Sequence, residues 1–152
     1  MPTSLAPSDR ALLDAAIEHA EKSLAEGGIP IGAALADASG HIVAVGHNQR
    51  VQTGDSTAHA EIDCMRNAGR RRDWRELTMA TTLSPCVMCT GAALLHQIPR
   101  VIIGESENFM GAEDLLRDRG VTLIHAHDQR CIDLMRQFTE NRPDLWNEDI
   151  GL

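Results

Sequence analysis

Apolar residues recur at helical spacing along the first part of the chain. Leu13, Ile17, Ala20 and Leu24 share one face between Asp9 and about Glu26, and Gly27-Gly28 ends the run, so a first helix is predicted there. The period then shortens. Ile31 to Ala36 and His41 to Gly46 are short apolar runs on either side of Asp37-Ala38-Ser39-Gly40, the pattern of two strands joined by a tight hairpin. Beyond a loop holding Gly54, Asp55 and Ser56, a second helix is predicted from about Ala58 to Asn67, followed by Gly69. The β-branched stretch Thr78 to Leu83 predicts a third strand running straight into Ser84-Pro85. Serine as N-cap and proline at the first helical position predict a helix from there to about Gln97, before Pro99. A fourth strand over Arg100 to Gly104, a loop around Asn108-Phe109, a helix over Glu113 to Arg119, a fifth strand over Val121 to Ala126 and a helix from Asp128 to about Asn141 complete the pattern.

Strands alternating with helices after the hairpin imply parallel strand pairs with helices on both faces of the sheet. The expectation is an α/β fold, a three-layer α/β/α sandwich around a five-stranded mixed sheet. The length of 152 residues fits one domain spanning 1–152.

Composition narrows the function. Asp and Glu outnumber Lys and Arg by 22 to 14, giving a formal net charge of −8, which opposes attraction to nucleic acid. Arg70-Arg71-Arg72 lies outside any phosphate-binding motif and reads as a solvated turn. No stretch approaches the ~20 apolar residues of a membrane span, and the N-terminus lacks a signal-peptide layout, so a cytoplasmic protein is expected with no membrane or nucleic-acid partner. Of four cysteines, Cys64 and Cys131 read as small buried hydrophobes within helices.

The other two cysteines carry chemistry. His59-Ala60-Glu61 and Pro85-Cys86-Val87-Met88-Cys89 together offer His59, Cys86 and Cys89 as zinc ligands and Glu61 as a spare carboxylate. Three protein ligands leave room for water, as catalytic zinc requires, whereas a structural site is closed by four. A structural knuckle or a redox CxxC is the competing reading, and a knuckle would use Glu61 as a ligand only by removing it as a base. Cys86 and Cys89 lie on one face at a helix start, where the helix dipole favours thiolate. His59 and Glu61, two apart, would diverge along a helix, but both reach a metal site lying beyond its N-terminal end. Glu61 is then placed to move protons to and from a water at that site. His19, His41, His96, His125 and His127 read as core or surface residues, and His47, beside Asn48, as shaping the pocket entrance.

The paired H-x-E and P-C-x-x-C clusters are the signature of zinc-dependent nucleobase deaminases. The chain resembles the fungal-type cytosine deaminase branch of the cytidine deaminase-like superfamily over nearly its whole length. The resemblance is carried by Glu26 to Gly32, Gly46-His47-Asn48, Thr81 to Gly91, Ile98-Pro99-Arg100, Asn108-Phe109, and Gln137-Phe138 through Arg142-Pro143 to Trp146, Glu148, Asp149, Ile150 and Gly151. It implies one zinc ion per chain, a homodimer, and residues 143–152 as a lid over the substrate. It further implies that Asn48 bonds the base's carbonyl edge, that Asp149 meets a ring N–H or the amine, that Ser84 offers its backbone carbonyl, and that the backbone N–H groups near Ala60 and Cys86 orient base and water. Phe109 and Trp146 would pack about the ring, with Ile31 also lining the site. The chain departs from the branch at Ala60, where glycine is usual, and at Asn147, where an aromatic is usual, and both are expected to bear on specificity.

The expected activity is deamination of free cytosine, or of a close analogue such as isocytosine, within pyrimidine salvage. Guanine or another small aminated heterocycle is the alternative substrate. A non-catalytic zinc-binding interaction module is the alternative from a different class.

Overall fold

The computed structural model describes residues 4–152. The first helical run is α1 (Pro7–Ala25), with Pro7 in its first turn, where a backbone N–H would lack a partner in any case, and Gly27 at φ +87° beyond its end. The hairpin strands are β1 (Gly32–Ala36) and β2 (Ile42–His47), paired antiparallel. Their turn is held by Asp37, whose Oδ1 accepts from the backbone N–H groups of Ser39 at 2.9 Å and His41 at 3.0 Å.

The remaining strands are β3 (Thr78–Leu83), β4 (Arg100–Glu105) and β5 (Thr122–His125), in the order β2-β1-β3-β4-β5. β1 runs antiparallel to both neighbours, while β3, β4 and β5 are mutually parallel. β2 therefore points the same way as β3 and β4, and the ends of all three open onto one edge of the sheet, the usual place for a ligand in an open α/β sheet.

Helices cover both faces, as the alternation predicts. On one face Leu12, Leu13, Ala16 and Ile17 of α1, with Cys131 of α6 (Gln129–Asn141), pack on Ala34, Ala36, Ala80 and Ile102. On the other, Cys64 of α3 (Ala60–Ala68), Ala93 of α4 (Val87–Leu95) and Leu116 of α5 (Glu113–Asp118) share a core with Ala33, Leu35, Met79, Val101 and Ile103. Full burial of each such Leu or Ile contributes roughly 1.5–3 kcal/mol. Two glycines set the close approaches. A Cβ on Gly32 would lie 1.9 Å from the Ala16 carbonyl, and one on Gly46 would lie 2.3 Å from the Cys64 nitrogen, so α1 and α3 both rest directly on the hairpin backbone.

Three features differ from expectation. α4 begins at Val87 with Cys86 as its N-cap, so Ser84 is not the cap. The Ser84 hydroxyl instead donates to Glu113 Oε2 at 2.5 Å, a partner 29 residues away that outcompetes the local capping role. A short α2 (Arg50–Thr53) and a 3₁₀ turn over Trp74–Glu76 are additional. The final segment is also helical, as α7 (Pro143–Asp149), with Pro143 in its first turn. Cys64 and Cys131 are buried as expected, and no helix among the described residues is long and apolar enough to cross a membrane.

Candidate active site

The starts of α3 and α4 deliver the two sequence clusters to the same point. His59 is the N-cap of α3, in extended backbone, and Glu61 lies in the first helical turn, so the two side chains leave the backbone before the helical rotation separates them. Cys86 is the N-cap of α4 and Cys89 lies in its first turn. One ligand atom from each of His59, Cys86 and Cys89 lies within 4.8 Å of the others.

This donor set fits zinc. His59 Nδ1 is 3.4 Å from Cys86 Sγ, close to the roughly 3.6 Å that tetrahedral zinc with ordinary Zn–N and Zn–S bonds imposes on such a pair. Nδ1 therefore faces the metal position and Nε2 faces Asp149 Oδ1, 3.3 Å away. Burial opposes charge on His59, but its hydrogen bonds with Asp149 and Cys86 outweigh it and raise the pKa to about 10. The hydrogen bond from Cys89, helped by His59, holds Cys86 down at about 4, while the same Cys86 contact and burial push Cys89 up. A thiolate is thus favoured beside the imidazole, the form a cation would bind.

Glu61 is 4% exposed. Burial, reinforced by the Cys86 charge, lifts its pKa to about 7, a value at which a carboxyl group can both take and give a proton near neutrality.

Asn48, immediately after β2, is fully buried. Its Oδ1 accepts the Arg50 N–H at 3.0 Å, which leaves Nδ2 as the outward donor, 3.4 Å from Asp149 Oδ1. The Asn48 carbonyl is itself held by Ser23 Oγ at 2.7 Å and Gln52 Nε2 at 3.1 Å. His47 lies beneath this position and not at an entrance. It is buried, with Nε2 2.8 Å from Glu26 Oε1 and its backbone N–H on Asp63 Oδ2 at 3.0 Å.

α7 supplies the opposite wall. Trp146 meets Phe109 edge to face with ring centroids 5.7 Å apart, and Asp149 is buried beside them. A cavity of about 20 Å³ is lined by Ile31, His59, Glu61, Leu83, Ser84, Cys86, Phe109, Trp146, Asp149 and Ile150. That space holds one or two waters at about 10–15 Å³ each. A wider cleft of about 480 Å³ shares His59, Cys86, Phe109, Asp149 and Ile150 with it and adds the exposed Val87 and Met110.

Ten of the eleven residues singled out in the sequence converge on this cavity directly or, for Cys89 and Asn48, through a neighbour that lines it. Ala60 is in the core beneath, as the first residue of α3, where its N–H has no partner within the helix. Its methyl does not line the cavity, and Asn147 is exposed on α7, so neither departure from the fungal-type pattern puts a side chain in the cavity wall. Leu83 and Ile150 are wall residues that the sequence reading did not single out, and only alternation along β3 and the helical spacing of Ile150 from Trp146 hinted at them.

A profile described as the cytidine and deoxycytidylate deaminase zinc-binding region matches residues 6–105. A cytosine deaminase of Candida albicans is 45% identical over 145 residues, covering 94% of this chain and 97% of that protein. A tRNA-specific adenosine deaminase of Haemophilus influenzae is 40% identical over 107 residues, 68% of this chain and 62% of that one. Among solved structures, a guanine deaminase from Nitrosomonas europaea superposes with a TM-score of 0.76 at 24% identity, covering 92% of this chain and 88% of its own, a likeness of fold.

Proposed function

The chain belongs to the zinc-binding cytidine and deoxycytidylate deaminase family, and on that premise we propose that it hydrolyses free cytosine to uracil and ammonia. The observation that carries this reading is the cavity in which Glu61, His59 and Cys86 face Asp149, itself backed by Asn48, and an aromatic wall formed by Phe109 and Trp146. A small planar amide with one carbonyl edge and one amine matches those walls.

His59, Cys86 and Cys89 would hold the zinc, which supplies the Lewis acidity that makes water nucleophilic near neutral pH. Asn48 Nδ2 donates to the carbonyl of the base, and Asp149 accepts a ring N–H or the amine. The Ser84 carbonyl receives the amine, and the Ala60 and Cys86 N–H groups orient base and water. Glu61 takes a proton from the attacking water, gives it to the ring nitrogen beside the reacting carbon, and passes the second proton to the departing amine. The net change is one water consumed and one ammonia released.

Residues 143–152 act as a lid within a single deaminase domain spanning 1–152. The small cavity beneath α7 shares His59, Cys86, Phe109, Asp149 and Ile150 with the wider cleft of about 480 Å³, so a base reaches the metal ligands along that cleft and under the lid. The net charge of −8 favours a small base over a polynucleotide.

The chain works as a homodimer. α4 exposes Val87, Gly91 and Leu95 along one stripe, with Val87 71% and Leu95 78% exposed and Met110 61% exposed near its start, an apolar surface that a second copy would cover. A cytoplasmic place in pyrimidine salvage follows from the substrate.

Ammonia release by zinc-loaded protein with cytosine, isocytosine, guanine, adenine and cytidine, beside a Glu61→Ala control, tests the reading. Turnover of cytosine by the intact enzyme alone is expected. Preference for guanine would keep the chemistry and replace the substrate, and full activity of Glu61→Ala would overturn the mechanism.

A further inference from the structure

Glu113 belongs to neither sequence cluster and does not line the cavity, yet it is 1% exposed and carries a buried carboxylate with a full set of partners. Oε2 accepts the Ser84 hydroxyl at 2.5 Å, and Oε1 accepts His125 Nε2–H at 2.7 Å and an Arg117 N–H at 3.4 Å. His125 is stacked in turn on His127, with ring centroids 5.8 Å apart.

The contacts around this carboxylate join two loops of the site. Ser84 Oγ, while donating to Glu113, accepts the Gly111 N–H at 2.9 Å. The next carbonyl, that of Pro85, accepts the Ala112 N–H at 3.0 Å. The two backbones touch so closely that a Cβ on Gly111 would lie 1.8 Å from the Pro85 oxygen. One of these loops leads into Cys86 and the other comes directly from Phe109. Glu113 sits where the second loop becomes α5, and it fixes the hydroxyl through which both loops are joined. A hydroxyl so engaged does not cap α4, and the helix begins at Val87 with Cys86 at its N-cap.

We infer that Glu113 is a positioning residue that clamps the Cys86 turn to the Phe109 loop through Ser84, setting the metal ligand and the aromatic wall of the pocket at a fixed separation. The inference rests on the reading of this site as a zinc-dependent base deaminase. Glu113 touches neither base nor metal. Its loss frees the Ser84 hydroxyl, loosens the Cys86 turn and lets Phe109 drift, so metal retention and substrate affinity fall together. Residues that orient metal ligands from outside the coordination sphere typically change affinity by about 10–100-fold.

The test measures zinc release from the holoenzyme to a chromogenic chelator, together with KM and kcat for cytosine, in Glu113→Ala, Ser84→Ala and the double variant. Glu113→Ala is expected to release zinc about tenfold faster and to raise KM more than it lowers kcat. Ser84→Ala is expected to do the same, and the double variant to add little, because both cut one link. Asp9→Asn removes the Asp9–Arg100 ion pair at the opposite edge of the sheet and serves as a stability control. It is expected to leave zinc release and KM unchanged, and equal changes in it would overturn the clamp by showing that lost stability is sufficient. Wild-type zinc release and KM in a folded Glu113→Ala, or effects that simply add in the double variant, would also overturn it. If Glu113→Ala does not fold, Ser84→Ala decides, since unchanged zinc release there removes the proposed link. The zinc arm needs no substrate: failure to turn over cytosine would defeat the functional reading while faster zinc loss still upheld the clamp.

Discussion

A single carboxylate oxygen, Oδ1 of Asp149, lies 3.3 Å from Nε2 of His59, and the same oxygen faces Asn48 Nδ2 at 3.4 Å. The terminal helix therefore touches His59 on its outer nitrogen as well as the side-chain amide of Asn48. An acceptor on the outer nitrogen of a ligating histidine fixes its tautomer and raises its basicity. On the proposed reading, in which α7 is a lid and His59 a zinc ligand, Asp149 couples closure of α7 to the metal site.

Asp149→Asn is expected to weaken zinc binding by about 10–100-fold and to raise KM for cytosine in the same protein. Chelator competition followed by steady-state kinetics measures both. Wild-type zinc affinity in the variant would remove the coupling and leave Asp149 with base recognition alone.

Trp146→Ala should detach α7 from Phe109 and leave the sheet intact. The edge-to-face pair contributes about 0.5–1.5 kcal/mol beyond the buried area, so a KM rise of roughly tenfold is expected. Hydrogen exchange should increase over 143–152 and remain slow in β3 and β4. Protection of the tail equal to wild type would show that Trp146 does not hold it.

Gly46→Ala places a methyl 2.3 Å from the Cys64 nitrogen and 2.9 Å from the Ala60 carbonyl. Neither neighbour is a flexible side-chain end, so α3 must move away from β2, carrying His59 and Glu61 with it. A loss of about 3 kcal/mol in urea unfolding is expected, with zinc content falling as well. Unchanged stability would mean that α3 rides more loosely on the hairpin than its contacts indicate.

Leu95→Asp puts a charge into the exposed stripe of α4. Light scattering is expected to give the wild type twice the 16.6 kDa chain mass and the variant a single chain. A monomeric wild type would end the dimer proposal.

Most of the sheet could be read from the sequence because its signals are local. Thr78–Leu83 is a strand over the span its β-branched residues predict, and the hairpin turn is made by Asp37 and Gly40, residues suited to a turn. The zinc cluster was legible for the same reason, since two short segments carry all of it. Distant partners account for what was not. Ser84 looks like a cap until Glu113 claims its hydroxyl, and His47 looks like an entrance residue until Glu26 and Asp63 enclose it. Asn147 faces solvent because α7 turns Trp146 and Asp149 inward, an orientation that depends on helix formation in a segment too short for the spacing of Trp146 and Ile150 to predict a helix by itself.

The contact between Asn48 and Asp149 spans 101 positions of the chain. Loop closure over such a distance is entropically costly and comes after local helices and hairpins have formed. In a refolding experiment, far-UV signal and zinc uptake by the two helix starts should recover before turnover does. Activity is then the last property the molecule acquires, and the sharpest report that its chain has folded completely.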